Sequence, residues 1–294
     1  MKIAFFGLPL AACLLAHDGV EIAFAGLSLS DAVGGRRLRR VIGPDRVVLR
    51  PKLDAALARR LEAEGIDLLV SWFWTTKLPM TLVRVTRLGG VGVHPSLLPR
   101  HRGPDPTAWA ILEGDEETGV TAHRIAADYD TGAILGSKRL RIDPTWTAWQ
   151  LARALDRPSL VLLREVVASL ARGEAPSEVE QDPSLATEAP FLSDEERAIR
   201  WNAPAERIHR LVRALSPAPA ATCEVNGVEL SVLETRVVPA PKTLETPGEA
   251  SSENDRVLVR AADGAIEIVR AERDGEPLET AALAALFRDP PLVP

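Results

Sequence analysis

The sequence predicts an α/β protein, a parallel β-sheet covered by helices on both faces, with a smaller β-rich domain after it. Three features point there. Short runs that are apolar at nearly every position alternate with segments of helical periodicity from residue 2 to residue 94, which is how strands buried on both faces read. Past residue 220 apolar residues recur at every second position, as in strands with one face in water. Between these regions, residues 173–196 turn acidic and proline-rich, which predicts a linker. A chain of 294 residues favours two domains over one, expected at residues 1–190 and 191–294.

Residues 2–6 (KIAFF) read as the first strand, and Pro9 opens a helix over 9–16, a position where proline is tolerated. Residues 21–27 (EIAFAGL) give the second strand. Arg36, Arg37, Arg39 and Arg40 surround Leu38, Val41 and Ile42, a spacing that predicts an ordinary helix with its cationic side in water. A short strand follows at 47–49. Residues 52–64 form a helix with Leu53, Ala56, Leu57 and Leu61 on one stripe, 67–72 form another strand, and 91–94 the next. A long helical pattern ends near residue 172, carrying Leu151, Leu155, Leu160, Leu163 and Val167. Beyond the linker, 205–215 reads as a short amphipathic helix, 222–238 and 256–270 as strands, and 239–255 as an exposed, mobile loop.

Composition narrows the function classes. A net charge of -6 argues against a general nucleic-acid binder, although a cationic stretch from Arg36 to Lys52 has Asp45 as its single acid. Cys13 and Cys223 stand far apart without metal-ligand spacing, so neither a disulfide framework nor a metal site is expected, and a reducing cytoplasm is. The apolar N-terminus is broken by Gly7 and Pro9 and is not read as a signal peptide. No stretch approaches the ~20 apolar residues of a membrane span.

The chemistry concentrates in GVGVHPSLLPRHRGPDP, residues 90–106, where an apolar run stops at His94 and a stiff loop with Pro95 and Pro99 begins. A sheet presents a catalytic group at its edge in this way, and in open sheets ligands bind beyond the carboxyl ends of the strands. Asp130, beside Gly132, falls in a loop between two apolar segments. A carboxylate near an imidazole orients it and raises its basicity, so His94 and Asp130 form a candidate acid–base pair.

HPSLLP followed by DTG resembles the 10-formyltetrahydrofolate-dependent formyltransferases, and the order of elements is similar over nearly the whole chain. The resemblance implies a Rossmann-like formyltransferase domain and an oligonucleotide-binding-like C-terminal domain, entered through APFLSDEERAIRW. It implies 10-formyltetrahydrofolate as the formyl donor, held by Phe73, Trp74, Lys77 and Leu78 and by Ile125, Ala126, Ala127, Asp128 and Tyr129. It implies His94 in proton transfer and in hydrogen bonding to a developing oxyanion, with Asp130 orienting it. The family's third catalytic residue, an Asn two positions before the His, is replaced here by Gly92. Gly7, Leu8, Pro9, Ser96, His101 and Arg102 are expected on the acceptor side, the last two in a mobile part of the motif facing a substrate anion. His123 resembles a residue of the amino-sugar branch but is read as a structural histidine. The expected activity is formylation of a small-molecule amine such as an amino sugar. The alternatives are methionyl-tRNA formylation, with tRNA as a less favoured partner, and a non-catalytic folate-binding homologue.

Overall fold

Strands that are apolar on both faces must be covered on both, and the first half of the chain resolves this by winding helices around one sheet. The computed structural model describes residues 1–30, 32–174, 176–253 and 256–287. Two compact units emerge. The first comprises Met1–Pro106, Glu117–Arg141 and Ala154–Ala189, and the second Thr107–Glu116, Ile142–Arg153 and the described residues from Pro190 onward.

The elements run β1 (Lys2–Gly7), α1 (Pro9–His17), β2 (Glu21–Leu27), α2 (Gly35–Ile42), β3 (Val47–Leu49), α3 (Ala55–Ala63), β4 (Leu68–Trp72), α4 (Met80–Val83) and β5 (Gly90–His94). Then follow α5 (Pro106–Glu113), β6 (Glu117–Arg124), β7 (Ile134–Arg141) and α6 (Ala148–Ala171). The first unit holds a seven-stranded sheet in the order β3-β2-β1-β4-β5-β6-β7. Strands β1 to β5 are parallel, whereas β6 runs antiparallel to both β5 and β7. The sheet is therefore mostly parallel rather than wholly so. The physical reason is visible in β7, whose buried and exposed residues alternate as in an antiparallel strand with one face in water.

One face of this sheet packs Ala4, Phe6, Phe24 and Leu69 against Leu57, Leu61 and Leu82 of α3 and α4. On the other face α6 docks, where the indole of Trp72 donates to Ser159 Oγ at 3.0 Å and a side-chain carbon placed on Gly136 would lie 3.4 Å from Leu162. Where β1 ends, a Cβ on Gly7 would sit 1.7 Å from the carbonyl oxygen of Trp72, and the backbone there has φ +141°. Only glycine permits that approach. It lets the Leu8 amide donate to Trp72 O at 3.1 Å and ties the ends of β1 and β4 together.

The second unit contains α7 (Asp194–Arg197), α8 (Ala205–Leu215), β8 (Ala221–Val225), β9 (Val228–Val238), β10 (Ala250–Glu253), β11 (Arg256–Arg260), β12 (Ala265–Arg273), β13 (Glu276–Pro277) and α9 (Thr280–Leu286). Its antiparallel sheet runs β10-β11-β12-β9-β8, with β13 on β12. Ile208, Val212 and Leu215 of α8 share a buried core with Val232, Val259, Ile266 and Phe287. Among the described residues no helix is long and apolar enough to cross a membrane.

Two expectations are corrected. Residues 239–255 are not one loop, because Ala250–Glu253 pairs with β11; Asn254 and Asp255 lie outside the described residues. The segment expected as a linker is held by the first unit. Val179 exchanges backbone hydrogen bonds with Ile134, and Ala189 accepts from and donates to the loop after His94. Its polar composition suggests solvent, yet backbone groups of any composition can pair.

Candidate active site

The strand order reverses between β1 and β4, so the carboxyl ends of β1, β4 and β5 flank the place where open α/β sheets bind ligands. His94 is the last residue of β5, opposite Thr121 on β6, and is only 6% exposed. Its Nε2 lies 2.7 Å from the carbonyl oxygen of His101. A carbonyl only accepts, so this nitrogen carries a proton. The other ring nitrogen, Nδ1, faces Asp130 Oδ2 at 3.4 Å.

Asp130 has φ 56°, in the left-handed region that aspartate visits more readily than most residues. The Gly103 amide donates to its Oδ2 at 3.0 Å, while its Oδ1 faces His123 Nε2 at 3.5 Å. His123 Nδ1 lies 2.9 Å from the carbonyl of Arg124 and must donate there. Burial pushes the His123 pKa below its ordinary value; the Asp130 charge opposes this and His94 adds to it. His123, read from sequence as structural, thus belongs to the same cluster as the predicted pair.

The tautomers follow from these contacts. Each histidine donates to a backbone carbonyl and, when neutral, turns a bare nitrogen toward one oxygen of Asp130. A bare nitrogen and a carboxylate oxygen repel, whereas one added proton converts either contact into a charge-assisted hydrogen bond. His94 and His123 thus each face one oxygen of the same carboxylate, Asp130.

The two segments expected to hold the donor meet. Lys77 Nζ is 3.5 Å from Asp128 Oδ1 and 5.7 Å from the centre of the Tyr129 ring. Leu78 is buried, whereas Ala127, Asp128 and Tyr129 are exposed, Tyr129 at 56%. Ile125 and Ala126 are half-buried, and the Ile125 amide donates to Gly90 O at 3.0 Å. Phe73, at φ 53°, stacks edge-on with Trp72, and Trp74 with Phe6. Gly7, Leu8 and Pro9 form the turn at the end of β1.

Three acceptor-side expectations change. Ser96 is 0% exposed and donates to Arg100 O at 2.6 Å, so it braces the loop instead of facing a ligand. His101 is buried at φ 57°, its amide donating to Thr187 Oγ1 at 2.9 Å. Arg102 donates through Nε and a terminal nitrogen to Gln181 Oε1 at 3.1 and 2.7 Å. Both are tied by hydrogen bonds to the segment of residues 181–187.

The Formyl transferase domain matches residues 36–167 and the Formyl transferase, C-terminal domain residues 192–287. The chain belongs to the formyltransferase family. A methionyl-tRNA formyltransferase of Synechococcus sp. (strain JA-2-3B'a(2-13)) is 31% identical over 302 residues, covering 96% of this chain and 94% of its own. That of Solibacter usitatus (strain Ellin6076) is 36% identical over 289 residues, covering 94% and 92%. Among solved structures, HypX from Aquifex aeolicus in complex with tetrahydrofolic acid has a TM-score of 0.67 at 20% identity. That alignment covers 98% of this chain and 47% of HypX, so the chain spans about half of HypX. An N-formyltransferase from Helicobacter canadensis, in complex with folinic acid and dTDP-3-aminofucose, has a TM-score of 0.68 at 15% identity, covering 91% and 98%. At such identities the likeness concerns the fold.

Against this formyltransferase background Gly92 stands out. It pairs directly with His123 across β5 and β6. A Cβ on Gly92 would lie 3.3 Å from His123 Nε2 and 3.5 Å from its Cε1. The imidazole of His123 closely borders the place where a side chain at position 92 would begin.

Sequence reasoning missed Gln181. Its Nε2 donates to the carbonyls of Asp130 and Gly132, both at 2.7 Å, while its Oε1 accepts from Arg102. One amide therefore ties the Asp130 turn to the loop after His94. Nothing in the spacing of the acidic segment marks it.

Proposed function

We propose that the protein transfers a formyl group from 10-formyltetrahydrofolate to the primary amine of a small molecule, an amino sugar or related biosynthetic intermediate. The observation that carries this reading is the proton-receiving cluster of His94, Asp130 and His123 at the sheet edge. Formyl transfer forms a bond between the acceptor nitrogen and the formyl carbon and breaks the bond from that carbon to N10 of the folate. The acceptor nitrogen loses one proton and N10 gains one. A site for this reaction must take a proton and return it, and two imidazoles sharing one carboxylate do that.

The residues present fit the donor. Trp74 Nε1 is buried without a hydrogen-bond partner, an orphaned donor inside the segment assigned to the folate. Lys77, Asp128 and Tyr129 bring the second segment beside it. When bound, the folate supplies an activated formyl carbon. Residues 73–78 and 125–129 would hold the folate, and His94 and Asp130 would move the proton.

Methionyl-tRNA as the acceptor is the second reading, favoured by relatives of that name aligned over 94% or more of the chain. For the small-molecule reading the support is His123, which resembles a residue of the amino-sugar branch and lies 3.5 Å from Asp130. The test supplies 10-formyltetrahydrofolate with nucleotide-linked amino sugars and with methionyl initiator tRNA in parallel. Formylated sugar with unreacted tRNA is the expected result; the reverse selects the second reading, and no transfer to either rejects formyl transfer.

A further inference from the structure

We propose that His123 is a second proton carrier of this site and stands in for the polar side chain that Gly92 lacks. The inference rests on the formyl-transfer reading and deepens it. Three observations carry it. First, register: Gly92 and His123 face each other across β5 and β6, so the two positions share one space above the sheet. The imidazole borders that space, with Nε2 3.3 Å from where a Cβ of residue 92 would be.

Second, the direction of the hydrogen bonds. The Arg124 carbonyl holds the proton of His123 on Nδ1, leaving Nε2 as the nitrogen with a free lone pair. An Asn at position 92 offers an amide donor that does not titrate. His123 Nε2 instead begins as an acceptor and becomes a donor once it has taken a proton. It takes the proton released as the acceptor nitrogen bonds to the formyl carbon. The resulting N–H is shared between Asp130 Oδ1 and the formyl oxygen while that oxygen carries negative charge, and the proton passes to N10 as its bond to the formyl carbon breaks. His123 returns to its starting state.

Third, the electrostatic setting suits a carrier. The groups facing the ring are Asp130, 3.5 Å from Nε2, and His94, which shares that carboxylate from β5. The guanidinium of Arg124, on the same strand, is directed to Glu178 at 2.9 Å. Burial favours the neutral ring, and the Asp130 charge opposes this by stabilising the charged form.

The experiment compares the full-length protein with His123→Gln, which keeps a neutral donor but cannot titrate, and with His123→Asn as a second variant. The readouts are kcat and KM against pH, thermal protection by 5-formyltetrahydrofolate, and the histidine ring resonances followed by NMR against pH without ligand. In the parent, the His123 resonance should titrate below ~6.5, the ordinary value, and shift in Asp130→Asn. The parent rate should fall as pH drops through that range, because a protonated Nε2 accepts nothing. In both variants kcat should fall at least about tenfold, the low end for acid–base catalysis being about a hundredfold. The acidic limb should weaken, with folate protection retained.

A variant that keeps the parent's kcat, or its acidic limb unchanged, overturns the proposal. So does a His123 resonance indifferent to Asp130→Asn. Loss of folate protection in both variants also overturns it, since it assigns the residue to binding. A parent inactive toward every amine instead removes the formyl-transfer reading itself.

Discussion

Gly92 stands where the resemblance expects an Asn, and its surroundings argue that placing Asn there will not raise the rate. A Cβ there meets His123 Nε2 at 3.3 Å, and the ring cannot swing freely because its Nδ1 is hydrogen-bonded to Arg124 O. Overpacking of this kind costs about 1–3 kcal/mol. Gly92→Asn alone should therefore lower the melting temperature and slow transfer roughly tenfold. Combined with His123→Ala it should recover stability and part of the rate, because the amide then has room to offer the donor worth ~2.7–4 kcal/mol at an oxyanion. Melting curves and kcat/KM on the parent, both single variants and the double variant measure the coupling. Additive effects would show that positions 92 and 123 do not share one space.

At the scale of elements, the segment from Val179 to Ala189 straps the loops that carry Asp130 and Arg102, and Gln181 is its clasp. Removing the amide leaves the carbonyls of Asp130 and Gly132 and the fork of Arg102 without a partner. Buried groups stranded in this way cost about 1–3 kcal/mol each, reduced where water enters. Gln181→Ala should destabilise the protein by about 2–4 kcal/mol and expose the strap to limited proteolysis. Gln181→Glu should also destabilise, since the oxygen replacing Nε2 would face two carbonyls while the other kept Arg102. Denaturant unfolding and digestion time courses test both.

The strap also marks the limit of what the sequence disclosed. Buried strands and α1, α3 and α8 were legible because their periodicity records which faces meet the core, and His94 and Asp130 because strand ends and turns announce themselves. His123 was legible as a residue but not as a participant. Only the antiparallel register of β5 and β6 sets it against Gly92 and Asp130, and an apolar strand does not declare its direction. Backbone pairing of residues 179–189 follows no side-chain pattern at all, so a polar, proline-rich segment read as a linker.

On the scale of the molecule, charge separates the candidate acceptors. The chain carries a net charge of -6, yet α2 exposes Arg36, Arg37 and Arg40 around the buried Leu38. Its N-terminal turn adjoins the start of α1, Gly34 lying 3.6 Å from Pro9 when given a side-chain carbon. A cationic helix beside the β1 turn attracts a phosphate-bearing acceptor, while the acidic remainder repels polyanions at long range. A nucleotide-linked amine displaces few counterions, so KM should rise only severalfold between 50 and 200 mM salt. An acceptor held by six to ten nucleic-acid phosphates would lose roughly a thousandfold or more over the same range. Replacing Arg36, Arg37 and Arg40 by Glu should raise KM about tenfold with kcat nearly unchanged and should abolish the salt dependence. A steep slope in the parent would assign the helix to a polyanion and reverse the choice of acceptor. A slope that survives the charge reversal would move the anion contact to another part of the molecule.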